Sequence, residues 1–472
     1  MKRITLSQLP AAAFRPDDDQ RQAQLGWLFQ FAFVCLLLGE VLLSQRPTAI
    51  DFPVIFQIVV LAVFLSFGIL RIFARADRAL GDHLTVVVLI YLLYFYAVGF
   101  VLSRLNGVAF LGAIEYPYRI SCLFIVLVTP FFIRRESDLN RLFALTLTMM
   151  GVQIVRDLFV GAGDGEVHIL TQRLWSQEFA SVLFLGTLPF SFGGLILYWN
   201  APKRRFLNRT LLMALWAVLV LKLFLTYSRT VWLIVFPLNL AGVYVLLYRK
   251  TDISPEVRRM GKRMSRLILL LAMAGIVVVV LLTSFEPKVM DFIQKRQELT
   301  GQESQNRLSE YQTAFEEWLA SPAWGQGFGY RAKVFKTSKE RLQEYVHNFV
   351  LQFMMSSGLI GLSLILVLLG GTFVRLWRLF KRARSQLQSA VLVSSLLTLF
   401  NVLLMGSVQT VMLKHEVYLL LAVIISFSIA IKRFQRKTFC RECHRFLPSF
   451  ETPGTLVTTM RAPLSKLPAE MT

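Results

Sequence analysis

Residues 347–371 read HNFVLQFMMSSGLIGLSLILVLLGG, a stretch without a single Asp, Glu, Lys or Arg. A helix rising ~1.5 Å per residue needs about 20 residues to cross a hydrocarbon core of about 30 Å, so this stretch is long enough to span a bilayer. It is one of many. The 472-residue chain is 55% hydrophobic and 17% charged, with a mean hydropathy of +0.56. Comparable windows fall at 25–45, 52–72, 84–103, 118–133, 140–160, 179–198, 210–226, 230–248, 267–284, 389–408 and 416–431. With 347–371 they predict an all-α polytopic membrane protein of about 12 transmembrane helices. The segments on either side are a polar N-terminal tail, 1–24, and a polar, proline-containing tail, 432–472, that reads as poorly ordered.

The formal charge of +22 would suggest nucleic acid in a soluble chain. Its distribution gives a different reading. Of the 51 Lys and Arg, 34 fall in the connections that lie inside if the N-terminus is cytoplasmic, and only 8 in the short outside loops and span ends. That is the positive-inside bias, with both termini in the cytoplasm. Basic runs such as Lys203-Arg204-Arg205 then act as anchors against membrane lipids, and no nucleic-acid partner is implied. No apolar stretch precedes Leu25 and no cleavage site follows the first span, so that span reads as an anchor.

The same count places one long polar insert, 285–346, outside, between spans nine and ten. Its 9 basic and 9 acidic residues are too polar for lipid, so water-dependent chemistry is expected there. Within it, Asn306 to Ala320 reads as a helix stopped by Ser321-Pro322. Tyr311, Ala314, Phe315, Trp318 and Leu319 form its apolar stripe, and Glu310, Glu316 and Glu317 its solvated face. Arg307 falls on the stripe and in the first turn, where a cation opposes the helix dipole. A bound phosphate would resolve both oddities; an ion pair with a loop carboxylate is the competing reading. Gly325-Gln-Gly327-Phe-Gly329 follows as a tight bend returning the chain to the membrane.

Three further positions are candidates by location. His347 stands where span ten enters the outer leaflet; an unperturbed imidazole titrates near pH ~6.5 and can serve as a general base, although a surface histidine at an interface is also ordinary. Lys222 and Arg229 end span seven, seven residues apart and on one face if the helix continues. A lysine there can simply snorkel, whereas an arginine in a very short outside loop is disfavoured without a role. The outside segments contain no HExxH motif, paired acids or metal-ligand cluster, so no metal and no cofactor is expected. Cys440-Arg-Glu-Cys443-His444 matches a haem-attachment spacing but lies on the cytoplasmic side, where such attachment does not occur.

Tyr227-Ser228-Arg229-Thr230, Arg307 opening an amphipathic helix, Trp324-Gly325-Gln-Gly327-Phe-Gly329, and His347-Asn348-Phe with Gly358-Leu-Ile-Gly361 together resemble the O-antigen ligase and polymerase superfamily, from span seven through span ten. The resemblance implies a bacterial inner-membrane enzyme with its active site facing the periplasm. Its donor would be an undecaprenyl-diphosphate-linked glycan, and its acceptor lipid A-core in a ligase or a second lipid-linked glycan in a polymerase. It implies that Arg229 and Arg307 grip the diphosphate and that His347 is the base. Lys222, Tyr311 and Arg156 are secondary substrate-binding candidates, and the insert would be a lid over the diphosphate. One dominant outside loop favours the ligase. A flippase for the same lipid-linked sugars is the alternative from another class, but transporters usually carry midplane charges and repeated halves, whereas here midspan charges are nearly absent, Glu40 and Lys222 lie toward outer span ends, and no repeat between halves is seen.

Overall fold

The computed structural model describes residues 82–133, 135–163, 177–199, 205–225, 235–249, 259, 305–336, 339–343, 346–407 and 414–446. The expected spans at 25–45, 52–72 and 267–284, and the insert up to residue 304, lie outside them. The helices are α1 (His83–Leu105), α2 (Phe110–Ile120), α3 (Phe124–Phe132), α4 (Glu136–Gly163), α5 (Gln177–Tyr198), α6 (Arg205–Leu225), α7 (Phe236–Arg249), α8 (305–320), α9 (Phe349–Lys381), α10 (Gln386–Gly406) and α11 (His415–Phe446). Among the described residues five helical stretches are long and apolar enough to cross a membrane: α1, Gly112–Thr129, α9, α10 and His415–Arg436.

Two expectations are corrected. The fourth window is not one helix from 118. It starts at Phe110, carries Pro117 inside α2, tightens into a 3-10 turn at Ser121–Leu123 and resumes as α3, because proline leaves a carbonyl without its helical donor. Helix α11 continues to Phe446, past the 431 boundary at which the polar tail was placed. The insert carries, besides its helix, a two-stranded antiparallel hairpin, β1 (Ala332–Lys336) with β2 (Lys339–Gln343), registered Ala332 to Gln343 and Lys336 to Lys339, within an architecture that remains consistent with the all-α reading.

Helix α10 is the centre of the bundle. It buries Ser389, Ser394, Ser395, Thr398 and Asn401 as well as its apolar residues. Small residues let helices close in here: a Cβ at Gly193 of α5 would collide with Ser394 and Phe143. Asn401 exchanges amide hydrogen bonds with Asn239 of α7, at 2.6 and 3.2 Å. At the other end of the chain order, Asp82 caps α1 and accepts from both Arg375 of α9 (2.5 Å) and Lys432 of α11 (2.8 Å). Burial alone would raise the Asp82 carboxyl, but the hydrogen bond from Lys432 and the charge of Arg375 outweigh it and hold the group below its ordinary 3.8.

Helix α9 is broken. Gly358 has φ 61° and ψ −165°, a backbone region open essentially to glycine. The break strands helical carbonyls and amides, and the chain from Pro322 to Gly327 takes them up. Gln326 N donates to Met355 O and Gly327 N to Ser356 O, both at 2.8 Å, while Leu359 N and Ile360 N donate to Pro322 O (2.9 Å) and Ala323 O (3.3 Å). The hydroxyl of Tyr94 on α1 donates to Ser357 O at 3.1 Å. Next in sequence, buried Phe328 stacks on Tyr116 with centroids 3.6 Å apart and rings 3° from parallel. Tyr116 in turn shares hydroxyl hydrogen bonds with Tyr91 (2.8 Å) and Tyr418 (2.6 Å). The expected tight bend is therefore also a wedge, and residues 322–329 belong to the bundle rather than to a lid over it.

Two outcomes follow from these contacts. Gly358→Ala forces a side chain onto a glycine-only backbone against the Ala323 carbonyl, and is expected to cost about 3 kcal/mol or more. Thermal melting and membrane abundance measure it, with Gly370→Ala, which meets nothing within 4 Å, as the tolerated control. Asp82→Asn removes the carboxylate shared by Arg375 and Lys432 and is expected to cost about 2–3 kcal/mol at neutral pH. Because the folded-state value is depressed, that stabilisation is present above the ordinary carboxylate range and is lost in the parent as pH falls through the lowered value, so parent and variant melting points converge in acid.

Candidate active site

Helix α8 is built from good helix formers (Leu308, Glu310, Gln312, Ala314, Glu316, Glu317, Leu319) and ends before Pro322, with Ser321 N on Trp318 O at 3.0 Å and the Trp318 indole on Pro322 O at 3.0 Å. Its buried face is rotated from the predicted stripe. Phe315 and Leu319 are exposed, at 46% and 56%, whereas Ala314 and Glu310 are nearly fully buried, at 1% and 2%. Glu310, expected on the solvated face, is the corrected position. The reason is the partner surface: Ala314 packs with Ala332 of β1, Val346 and Met355 of α9, and its small side chain permits close approach. That approach carries Glu310, one turn earlier on the same face, inward as well.

Glu310 meets His347 there. Its Oε2 lies 2.7 Å from the imidazole Nδ1, with the His347 side chain 30% exposed. The backbone around the histidine is held on both sides. Val346 N donates to Gln352 Oε1 (2.6 Å), and the Gln352 amide donates to Ser356 Oγ (2.7 Å). The Tyr311 hydroxyl donates to His347 O at 3.3 Å. Asn348 caps α9, its Oδ1 accepting from Val350 N (3.0 Å) and Leu351 N (3.2 Å), and its amide donates to Ser407 O (3.2 Å). Tyr311 is thus part of the scaffold that fixes His347, alongside any sugar-stacking role.

Arg307 lies in the first turn of α8, half-buried, one turn before Glu310 and Tyr311. Among the described residues it forms no ion pair, so the competing carboxylate reading finds no partner there. Behind the site, Gln326 donates to Glu317 O (2.9 Å) and the Tyr330 hydroxyl to Glu317 Oε2 (3.1 Å), tying α8 to the wedge. Burial, then the adjoining Glu317 carboxylate, pushes the Tyr330 phenol above its ordinary 10.0, so it remains a neutral donor.

The structure therefore brings three of the six sequence candidates, His347, Arg307 and Tyr311, to one helix-on-helix junction. Arg229 lies outside the described residues. Arg156 and Lys222 belong to α4 and α6, in stretches defined by backbone alone. Among the described residues no three His, Cys, Asp or Glu side chains come together as a metal site. Sequence reasoning missed Glu310 and Gln352. The signal for Glu310 was its spacing of four residues from Ala314 and three from Arg307.

A bundle of apolar helices carrying a cation and a carboxylate-backed imidazole on a docked polar insert has the makings of a membrane-embedded enzyme. The family model described as O-antigen ligase matches residues 212–366, from within α6 to midway along α9, and this stretch is similar to the O-antigen ligase and polymerase superfamily. Lys222, Arg229, Arg307, Tyr311 and His347 all fall inside the matched stretch, and Arg156 falls outside it. No curated protein matches the chain.

Proposed function

We propose that the protein is a glycosyltransferase of the bacterial inner membrane that moves a glycan from an undecaprenyl-diphosphate carrier to an acceptor hydroxyl on the periplasmic side. The observation that carries this reading is the junction of α8 with α9. It places a guanidinium in a helix first turn, without an ion pair among the described residues, on the same helix as the carboxylate that holds His347. The free N–H groups and positive dipole of a helix N-terminus together with a guanidinium suit a phosphate oxyanion.

In the proposed reaction, His347 takes the proton of the acceptor hydroxyl, the acceptor oxygen bonds to the anomeric carbon, and the bond from that carbon to the diphosphate oxygen breaks. The electron pair leaves with the carrier as undecaprenyl diphosphate. Its developing charge is met by Arg307 and, by the resemblance, Arg229. Attack opposite the leaving group inverts the anomeric centre. Lipid A-core is the acceptor we favour, making the protein an O-antigen ligase. This rests on a single dominant polar insert, since the segment 158–178 is short. A polymerase acting on a second lipid-linked glycan would use the same residues.

A reconstituted assay offering lipid A-core and a second lipid-linked repeat unit side by side decides the acceptor by which one is extended. Release of the diphosphate carrier is the expected signal. Lack of release with every acceptor, while lipid-linked sugar still crosses vesicles, would replace the enzyme by a transporter. In that assay Arg307→Lys is expected to lose activity on the order of 10²-fold despite keeping its charge, because lysine cannot present a planar fork to a phosphate. His347→Ala is expected to abolish transfer at unchanged protein abundance. Near-parental turnover in either variant removes that residue from the chemistry.

A further inference from the structure

We propose that Glu310 is the positioning residue of His347. Its carboxylate holds the imidazole with Nδ1–H turned toward α8, which makes Nε2 the atom that exchanges a proton with the acceptor; the proposal rests on the transferase reading of the same site. The contact is 2.7 Å between Nδ1 and Oε2, and the Glu310 side chain is 2% exposed. A carboxylate buried one turn before Ala314, which packs with Ala332, Val346 and Met355, is a poor choice for stability, since an apolar side chain of similar size would fill the place without desolvating a charge. Its use is electrostatic: it sets the tautomer and offsets the positive charge that His347 acquires on taking a proton.

The ionisable groups around the pair come from α8 and the start of the hairpin. From α8 the neighbouring ionisable side chains are Arg307 and Tyr311, one turn before Glu310 and beside it; Tyr311 is engaged with the His347 carbonyl. From β1 and the residue before it they are Lys333 and Arg331, which flank Ala332. From α9 the contacts around His347 come from the neutral Asn348 and Gln352. The backbone of residues 346–348 is pinned by Gln352, Tyr311 and the Asn348 cap, and the Glu310 carboxylate on Nδ1 orients the ring on that fixed base.

Glu310→Gln keeps the shape and removes the charge, and its amide can either accept from or donate to Nδ1. We expect kcat for carrier release to fall on the order of 10²-fold, with KM for the lipid-diphosphate glycan within about twofold of the parent. Glu310→Asp, which keeps the charge, is expected to recover part of the loss. A second measurement does not need turnover. In protein labelled with 15N-histidine, the His347 signal, assigned among the five histidines by its loss in His347→Gln, is expected to report one Nδ1–H tautomer in the parent and a mixture in Glu310→Gln. Parental kcat in Glu310→Gln overturns the proposal, as does an unchanged tautomer, or an equal loss in both variants that tracks a lowered melting point. A parent that releases no carrier with any acceptor overturns the transferase reading instead, and the 15N measurement then decides Glu310 alone.

Discussion

The hydrogen bonding of the broken helix at Gly358 is the constraint on which the rest depends. A helix inside a bilayer satisfies its own backbone, and a break within an apolar run leaves donors and acceptors that lipid cannot meet. Here the chain from Pro322 to Gly327 and the hydroxyl of Tyr94 meet them. That exchange obliges a polar insert to enter an apolar bundle at one register, and close backbone approach is possible because Gly325 and Gly358 face each other without side chains. Phe328 adds an aromatic anchor among Phe95, Tyr116 and Phe353.

This anchoring explains how a site can be rigid although half of it stands on an insert. His347 immediately precedes the Asn348 cap of α9 and Gly358 breaks that helix three turns later, so the imidazole stands at the head of the segment that carries the docking point of the wedge. Helix α8 leads directly into the wedge through Pro322 and is tied back to it by Glu317, which links Gln326 and Tyr330. The carboxylate and the imidazole therefore approach each other along two elements fixed to the same break. Positioning within a few tenths of an ångström, which acid–base chemistry demands, comes from the packed core rather than from a surface loop.

Much of the frame was legible in the sequence. Apolar windows of about 20 residues anticipated α1 and α4 to α7 as well as α9 to α11, because a bilayer imposes length and composition on a helix. The hairpin was missed because Ala332–Lys336 and Lys339–Gln343 are short and rich in lysine, without a strong alternating pattern. The break was hidden because Gly358-Leu-Ile-Gly361 lies in an apolar run where glycine is common. For the site, Arg307 and His347 stood out as ionisable groups at a boundary. Glu310 did not, since the face of α8 was judged by its apolar residues, while the partner surface selected the small Ala314 and buried the acid beside it. Which carbonyls Gln326 and Gly327 serve depends on residues 29 positions away, Met355 and Ser356, which no local pattern contains.

The tyrosine cluster also bears on the order in which the bundle is completed. The wedge on α9 is a local affair, closed between residues 37 positions or fewer apart, from Pro322 to Leu359. Tyr116 to Tyr418 spans 302 positions and Asp82 to Lys432 spans 350. During synthesis the Tyr91–Tyr116 pair and the Asp82 carboxylate are therefore made well before α9 supplies Arg375 and α11 supplies Tyr418 and Lys432. Helix α11 adds a partner to each, Tyr418 on one turn and Lys432 four turns further on. Helix α11 thus acts as a closing bolt, and the tyrosine platform on which Phe328 rests is complete only once α11 has joined α1 and α2.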